Sequence, residues 1–222
     1  MTLRLLGKAA RKLARPFWRS LAFDIAERSL EDFREPPARP GLACRLYPCG
    51  QAEPALAALA GFPLPVYFEA RLASGDLALV SDGAGGAPLG YAWGSVHPQP
   101  VEGVPPFLFA VRPRPGQAYL YDFYVLPEKR RRGVLDAAVP ALLAHYRDLG
   151  LRSAFLLFNA ADPAMRAFTR KAGFRIAGRV AYRRFLWRVV TNLDDLARLT
   201  GRSPDGRPAP TRPRSVPSSA KS

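Results

Sequence analysis

The chain predicts a mixed α/β domain, and three observations carry that prediction. Short apolar runs at residues 42–47, 76–81, 88–97, 118–126 and 153–158 read as strands, bounded by glycine, proline and acidic turn residues. Between them lie segments of helical period, above all residues 132–149, where Leu135, Ala138, Val139, Leu142, Leu143 and Tyr146 share one face. With 222 residues, 48% of them hydrophobic and 23% charged, the chain has apolar material for one well-filled core.

Taken in order, residues 3–21 place Leu3, Leu6, Ala10, Leu13, Phe17 and Leu21 on one helical face and Arg4, Lys8, Arg11, Arg15 and Arg19 on another, with Pro16 as a kink. This pattern predicts a basic amphipathic arm. Peripheral contact with an anionic membrane through residues 1–20 is one expectation, and docking on its own domain is the other. Residues 31–40, EDFREPPARP, read as a linker, so the arm and linker span 1–40 and the folded domain 41–200. Residues 51–61 and 66–73 predict two short helices, and DGAGGA joins two strands in a hairpin.

Residues 97–117 hold six prolines and predict a long loop, a candidate lid or acceptor wall. Asp162-Pro163 and Gly173 bracket a helix over 163–172, since an aspartate cap and a proline at the first helical position start helices and glycine ends them. Pro140 should kink the helix that contains it. Two strands at 174–179 and 181–188 and a small helix at 190–199 are expected next. Residues 201–222, rich in Pro, Ser and Arg, predict a disordered tail.

A net charge of +15 favours an anionic partner. The cations cluster in the two termini and around residues 129–132, without the interleaved aromatic platform of single-strand binders, so nucleic acid is not the expected partner. The two cysteines, Cys44 and Cys49, form no CxxC pair and have no neighbouring histidine, so no metal site is expected and free thiols in a reducing compartment are. No apolar run reaches the roughly 20 residues of a membrane span, and no secretion signal is read; the expected location is cytoplasmic, with the arm allowing contact with the inner membrane. His97 and His145 assemble into no Ser/His/Asp or Cys/His arrangement, and His145 is expected at the surface.

The chemistry concentrates in VLPEKRRRGV, residues 125–134. A strand that feeds a helix N-terminus presents unpaired N–H groups outward, and Arg130, Arg131, Arg132, Gly133 and Val134 make that point cationic and sterically open. A phosphate-bearing ligand is the expectation. The helix dipole contributes about 0.3–1 kcal/mol per charge, so directed N–H groups carry most of the recognition.

This stretch resembles the acetyl-CoA-binding motif of the GNAT superfamily of N-acetyltransferases, Gln/Arg-x-x-Gly-x-Gly/Ala. Asn159, followed by a helix ending Lys171-Ala172-Gly173-Phe174, is similar to a later segment of that family, and AYLYDFYVLPE with YRRFLW resembles a bacterial subgroup of unassigned substrate. The resemblance covers about residues 42–189 and is most specific over 118–178.

It implies a mostly antiparallel central sheet flanked by helices, and transfer of an acetyl or other short acyl group from acetyl-CoA or another acyl-CoA to a small-molecule or peptide amine, by direct attack in a ternary complex. A non-catalytic acyl-CoA-binding module on the same fold is the alternative, and a homodimer is compatible with either. The backbone of Phe123, Tyr124 and Val125 is implied to pair with the pantetheine arm, with Arg130, Arg131, Arg132, Gly133, Val134 and Asn159 completing the cofactor site.

Two positions depart from the family: Leu135 stands for the last Gly/Ala of the motif, and Thr169 for the tyrosine that protonates the departing thiolate. Tyr121, Tyr124 or water is left as the acid. Deprotonating a lysine-like amine costs about 4.6 kcal/mol at neutral pH, so a base is expected. Asp122 is the carboxylate on the central strand, as a base or as the partner of an arginine. Glu69 lies where acceptor surface is expected, or on a solvated helix face.

Overall fold

The computed structural model describes residues 18–59, 62, 68–83, 86–100, 110–185 and 188–192. Among them, eight strands form one sheet: β1 (Trp18–Ser29), β2 (Leu42–Tyr47), β3 (Asp76–Asp82), β4 (Pro88–Ser95), β7 (Gln117–Val125), β8 (Ser153–Asn159), β9 (Arg175–Phe185) and β10 (Arg188–Asn192). Their order across the sheet is β10-β9-β1-β8-β7-β4-β3-β2, and β5 (Gln99–Pro100) pairs with β6 (Ala110–Val111) separately. Every neighbouring pair in the large sheet is antiparallel except β7 and β8. The sequence-based expectation of a mixed, mostly antiparallel sheet is met.

Helices cover both faces. On one, α1 (Ala52–Ala58) and α2 (Phe68–Leu72) close over an aromatic core of Phe68, Tyr91, Trp93, Tyr119, Tyr121 and Phe155. On the other lie α3 (Val134–Asp148) and α4 (Pro163–Lys171). The predicted stripe of α3 is the one that packs: Ala138, Val139, Leu142, Leu143 and Tyr146 are buried against Ala92, Leu120 and Leu156. Fully burying a side chain the size of Leu contributes about 1.5–3 kcal/mol, so this stripe dominates the energetics of that face. Asp162 caps α4 as its sequence predicts, its Oδ1 accepting from the N–H groups of Ala164 (2.9 Å) and Met165 (3.1 Å). Pro140 lies inside α3, which continues through it as one helix to Asp148.

The N-terminal expectation needs correction. Residues 18–21 are not helical: they begin β1, which runs between β8 and β9 and pairs with both, from Phe23↔Asn159 to Ser29↔Ser153 and from Trp18↔Phe185 to Glu27↔Arg175. Leu21, Phe23 and Ile25 alternate toward the aromatic core while Asp24 and Ala26 face the other way, which is a period of two. The folded domain therefore does not begin at residue 41. The expectations for residues 3–17 and 201–222 lie outside the described residues, as do those for 101–109 within the long loop.

Residues 31–40 are more than a spacer. Phe33 is buried between the guanidinium groups of Arg28 (4.7 Å) and Arg147 (5.8 Å), and Arg39 Nη2 reaches Asp136 on α3 at 2.7 Å, so this strap crosses the α3 face. At the C-terminal end, the two strands expected at 174–179 and 181–188 are instead one long β9 hairpinned to β10. Residues 190–192 are strand and not helix.

His145 is also displaced from its expected surface position. Its Nε2 lies 3.9 Å from Asp76 Oδ1, with its side chain largely covered. Asp76 accepts from the Tyr146 hydroxyl at 2.6 Å and the Cys49 N–H at 2.8 Å, and burial followed by the Asp76 charge pushes the Tyr146 phenol well above its ordinary pKa. This polar cluster ties α3 to β3. Both cysteines are free and exposed, and no cluster of metal-ligating side chains occurs among the described residues.

Candidate active site

The site begins where two strands stop pairing. β7 and β8 run in parallel register only from Gln117↔Ser153 to Leu120↔Leu156. Beyond that point β7 stays with β4 as far as Gly90↔Val125, while β8 stays with β1 as far as Phe23↔Asn159. The two strands thus part, and a wedge opens between Tyr121–Val125 and Leu157–Asn159.

A bulge sits at the mouth of that wedge. The register of β4 and β7 passes from Trp93↔Tyr121 to Tyr91↔Tyr124, leaving Asp122 and Phe123 opposite Ala92, and Asp122 adopts φ 47°. An extra residue bends its strand and interrupts the ladder. Aspartate tolerates the left-handed region better than most residues. Past the bulge β7 pairs with β4 at Tyr124 and Val125 and no longer with β8, so an extended ligand could add there as a strand along the edge that faces the wedge.

Around the bulge the side chains sort by face. Tyr121, Asp122 and Tyr124 lie on the α1/α2 side, and Phe123 and Val125 on the α3/α4 side, with Phe123 edge-on to Phe168 at 6.4 Å. Asp122 forms an ion pair with Arg71 of α2, and each side chain is only 8% exposed. Arg71 was not singled out in the sequence, although its place between Phe68 and Leu72 puts it on the packed face of α2. The side chain of Glu69, on the same helix, lies outside the described residues.

The two tyrosines differ in setting. Tyr121 is 5% exposed; its ring stacks on Tyr119 and Trp93, and its hydroxyl has no hydrogen-bond partner among the described residues. Burial pushes its pKa upward, Arg71 opposes this, and Asp76 and Cys49 add to it. Tyr124 is half-buried beyond the bulge, stacked on Tyr91 at 5.6 Å and edge-on to Phe62 at 5.7 Å. Thr169 is buried and its hydroxyl donates to the Arg166 carbonyl at 3.0 Å, so that hydroxyl is committed within its own helix.

From Val125 the chain passes through a single 3-10 turn, Pro127–Lys129, to the N-terminus of α3. Arg131 (φ 64°) and Gly133 (φ 80°) are left-handed, Gly133 is the N-cap, and among the described residues no side chain caps the helix. This contrasts with α4, whose first N–H groups Asp162 satisfies. Arg130, Arg131 and Arg132 are exposed, with Arg132 only loosely paired to Asp82 at 4.0 Å. Open N–H groups beside exposed guanidinium groups suit a pyrophosphate. Asn159, at the end of β8, turns its Oδ1 back to the Ala161 N–H at 2.9 Å and so shapes the turn into α4.

One contributor was not legible as such. The Arg39 guanidinium, delivered by the strap, lies so close over Gly133 that a Cβ there would meet it at 3.0 Å.

A parallel pair that splays, a bulge at the split and an uncapped cationic helix start mark out the candidate site. Residues 51–174, more than half of the chain, match the Acetyltransferase (GNAT) family, and the chain belongs to that family. No curated protein matches it closely in sequence.

Among solved structures it is similar to a GCN5-related N-acetyltransferase from Sphaerobacter thermophilus, with 16% identity and TM-score 0.51, covering 81% of this chain and 56% of that one. It is also similar to a GCN5-related N-acetyltransferase from Kribbella flavida, with 18% identity and TM-score 0.50, covering 81% and 63%. A tandem GNAT protein from the clavulanic acid biosynthesis pathway matches at 16% identity and TM-score 0.50, over 81% and 58%. The chain spans less than two thirds of the length of these neighbours, and at such identities the likeness is one of fold.

Proposed function

We propose that the protein moves an acetyl or other short acyl group from CoA to the amine of a small molecule or peptide, by direct attack. The observation that supports this best is the continuous path from the wedge at Tyr121–Val125 to the uncapped turn at Arg130–Gly133. Bound acyl-CoA supplies an activated thioester carbonyl. In that exchange the ammonium first sheds one proton to solvent, the amine nitrogen forms a bond to the acyl carbon, the carbon–sulfur bond breaks, and the second proton lost by nitrogen balances the one the thiolate gains.

The chain's own residues divide this work. Phe123–Val125 offer backbone N–H and C=O groups that align an extended arm, and Arg130–Val134 hold the pyrophosphate. Tyr124 is the proton donor, because it stands beyond the bulge at the wedge while Tyr121 is sealed in the core and Thr169 is spent on Arg166. Asp122 and Arg71 hold the bulge. Positioned acids contribute about 10²–10⁴-fold, so Tyr124→Phe is expected to lower kcat by about 10²-fold while KM for acetyl-CoA stays within about twofold. Steady-state kinetics with an amine found in a panel checks this, and an equal loss in Tyr121→Phe alone would move the role to Tyr121.

The cofactor half is tested separately by melting with and without acetyl-CoA. The wild-type chain is expected to gain stability, and Arg130→Glu/Arg132→Glu to gain none. A shift that survives the reversal would show that the turn does not hold the phosphates. The committed hydroxyl of Thr169 favours one second reading, a module that binds acyl-CoA without turnover. Thermal stabilisation without any amine-dependent release of CoA would support it.

A further inference from the structure

Beyond Ala22 the sheet narrows to a tongue. The Ala160 N–H donates to the Ala22 carbonyl at 2.8 Å, just past the end of β8, and Trp18–Leu21 then pair with β9 alone among the described residues. β10 pairs with β9 on its other side. Three stretches, Trp18–Leu21, Tyr182–Phe185 and Arg188–Thr191, thus run on together for about 13 Å at about 3.3 Å per residue. At the tip Trp18 stands opposite Phe185, and Phe185 opposite Arg188. The wedge between β7 and β8 opens at this same end of the sheet, because β1 runs antiparallel to β8.

The tongue holds four arginines, Arg19, Arg183, Arg184 and Arg188, and no carboxylate. The first carboxylate along β1, Asp24, is 1% exposed and already held by Arg166 and Arg179. Over residues 163–193 the chain carries eight cations and no acid, and Arg170, Arg179 and Arg183 are exposed, so nothing on these elements offsets the positive charge. Interleaved with the arginines are Trp18, Leu21, Tyr182, Phe185, Val189 and Val190. Aromatic residues settle at the depth of lipid headgroups, and cations are drawn to anionic lipid.

The segment that leads into β1 has the same chemistry. Residues 1–17 carry Arg4, Lys8, Arg11, Lys12 and Arg15, leucines at helical spacing, and no acid. A second copy of the chain at this end would set like charges against one another, and a nucleic acid would offer the leucine and valines no apolar partner. An anionic bilayer suits both the cations and the apolar residues.

We infer that the tongue of β1, β9 and β10 docks the protein on an anionic bilayer surface, beside the basic segment that precedes it. The inference does not depend on the acyl-CoA reading.

Flotation of the full chain with phosphatidylcholine vesicles, and with vesicles that also contain phosphatidylglycerol, tests this. Binding to the anionic vesicles is expected to be at least about tenfold tighter, and about 0.5 M salt to remove most of the difference. In Arg183→Glu/Arg188→Glu the preference is expected to fall below about twofold, and Arg183→Gln/Arg188→Gln, the milder change, is expected to lower it in the same direction. Arg45→Glu/Arg112→Glu, which makes the same charge change away from the tongue, is expected to keep it. Circular dichroism melts check that each variant folds.

Equal binding to both vesicles by the wild-type chain overturns the inference. So does a preference that survives both tongue variants or is lost equally in the control. Tighter binding to a single-stranded oligonucleotide than to anionic vesicles, lost in the tongue variants, overturns it in favour of nucleic acid. A dimer in light scattering that the same variants dissociate overturns it in favour of a second copy.

Discussion

A chain lacking residues 1–29 is expected to show no cooperative unfolding transition and to precipitate. β1 is an interior strand, and it joins two otherwise separate blocks: β9 is paired only with β1 and β10 among the described residues, and β8 only with β1 and β7. Its loss would strand the β9–β10 hairpin and expose the long edge of β8, and unpaired edges template aggregation. It also removes Ile25 and Ala26, both fully buried on opposite faces, and Asp24, which binds Arg166 of α4 and Arg179 of β9.

Domains are stable by about 5–15 kcal/mol, less than the sum of a ladder on both edges and two faces of packing. Ile25→Asp is the finer probe, placing a charge where no water reaches, with an expected loss above about 4 kcal/mol. Both are read by circular dichroism melts. A truncated chain that melts like the full one would return residues 18–29 to the status of a detachable arm.

The reason β1 was hidden in the sequence is local. The stripe that makes residues 3–17 look helical continues by chance through Leu21, while the alternation of Leu21, Phe23 and Ile25 spans only five residues and has no turn signal before it. Pairing with two distant strands decided the matter, and such tertiary choices leave little local trace. By contrast α3 and α4 were legible to within a few residues, because their apolar spacing, the Asp162-Pro163 start and Gly173 act locally.

The site divides the same way. The turn at Arg130–Gly133 is written in consecutive residues. The splay of β7 from β8, the bulge at Asp122, and the arrival of Arg71 and Arg39 depend on register and on chain segments 51 and 83 positions earlier than Asp122.

Asp122→Asn is expected to lower the unfolding free energy by about 3 kcal/mol, since the substitution takes the charge from one partner of a buried pair and leaves the other guanidinium facing a neutral amide. Asparagine accepts the left-handed backbone at this position, so the loss reports the charge and not strain at φ 47°. Arg71→Gln alone should cost a similar amount, and the double variant no more than about 1 kcal/mol beyond either single one, because the two groups act as a unit. Chemical denaturation of the four proteins closes this cycle.

The same variants separate two roles for the carboxylate. On the proposed function, a residue that holds the bulge loses stability and kcat together in Asp122→Asn and in Arg71→Gln, since either change lets β7 relax beside the wedge. A base that takes the amine's proton would lose rate in Asp122→Asn with stability intact and would be indifferent to Arg71→Gln. The ion pair, shut between α2 and the bend of β7, carries the first expectation. A fully stable, inactive Asp122→Asn beside an active Arg71→Gln would assign the proton transfer to Asp122 and leave the bulge to be held by the β4 ladder alone.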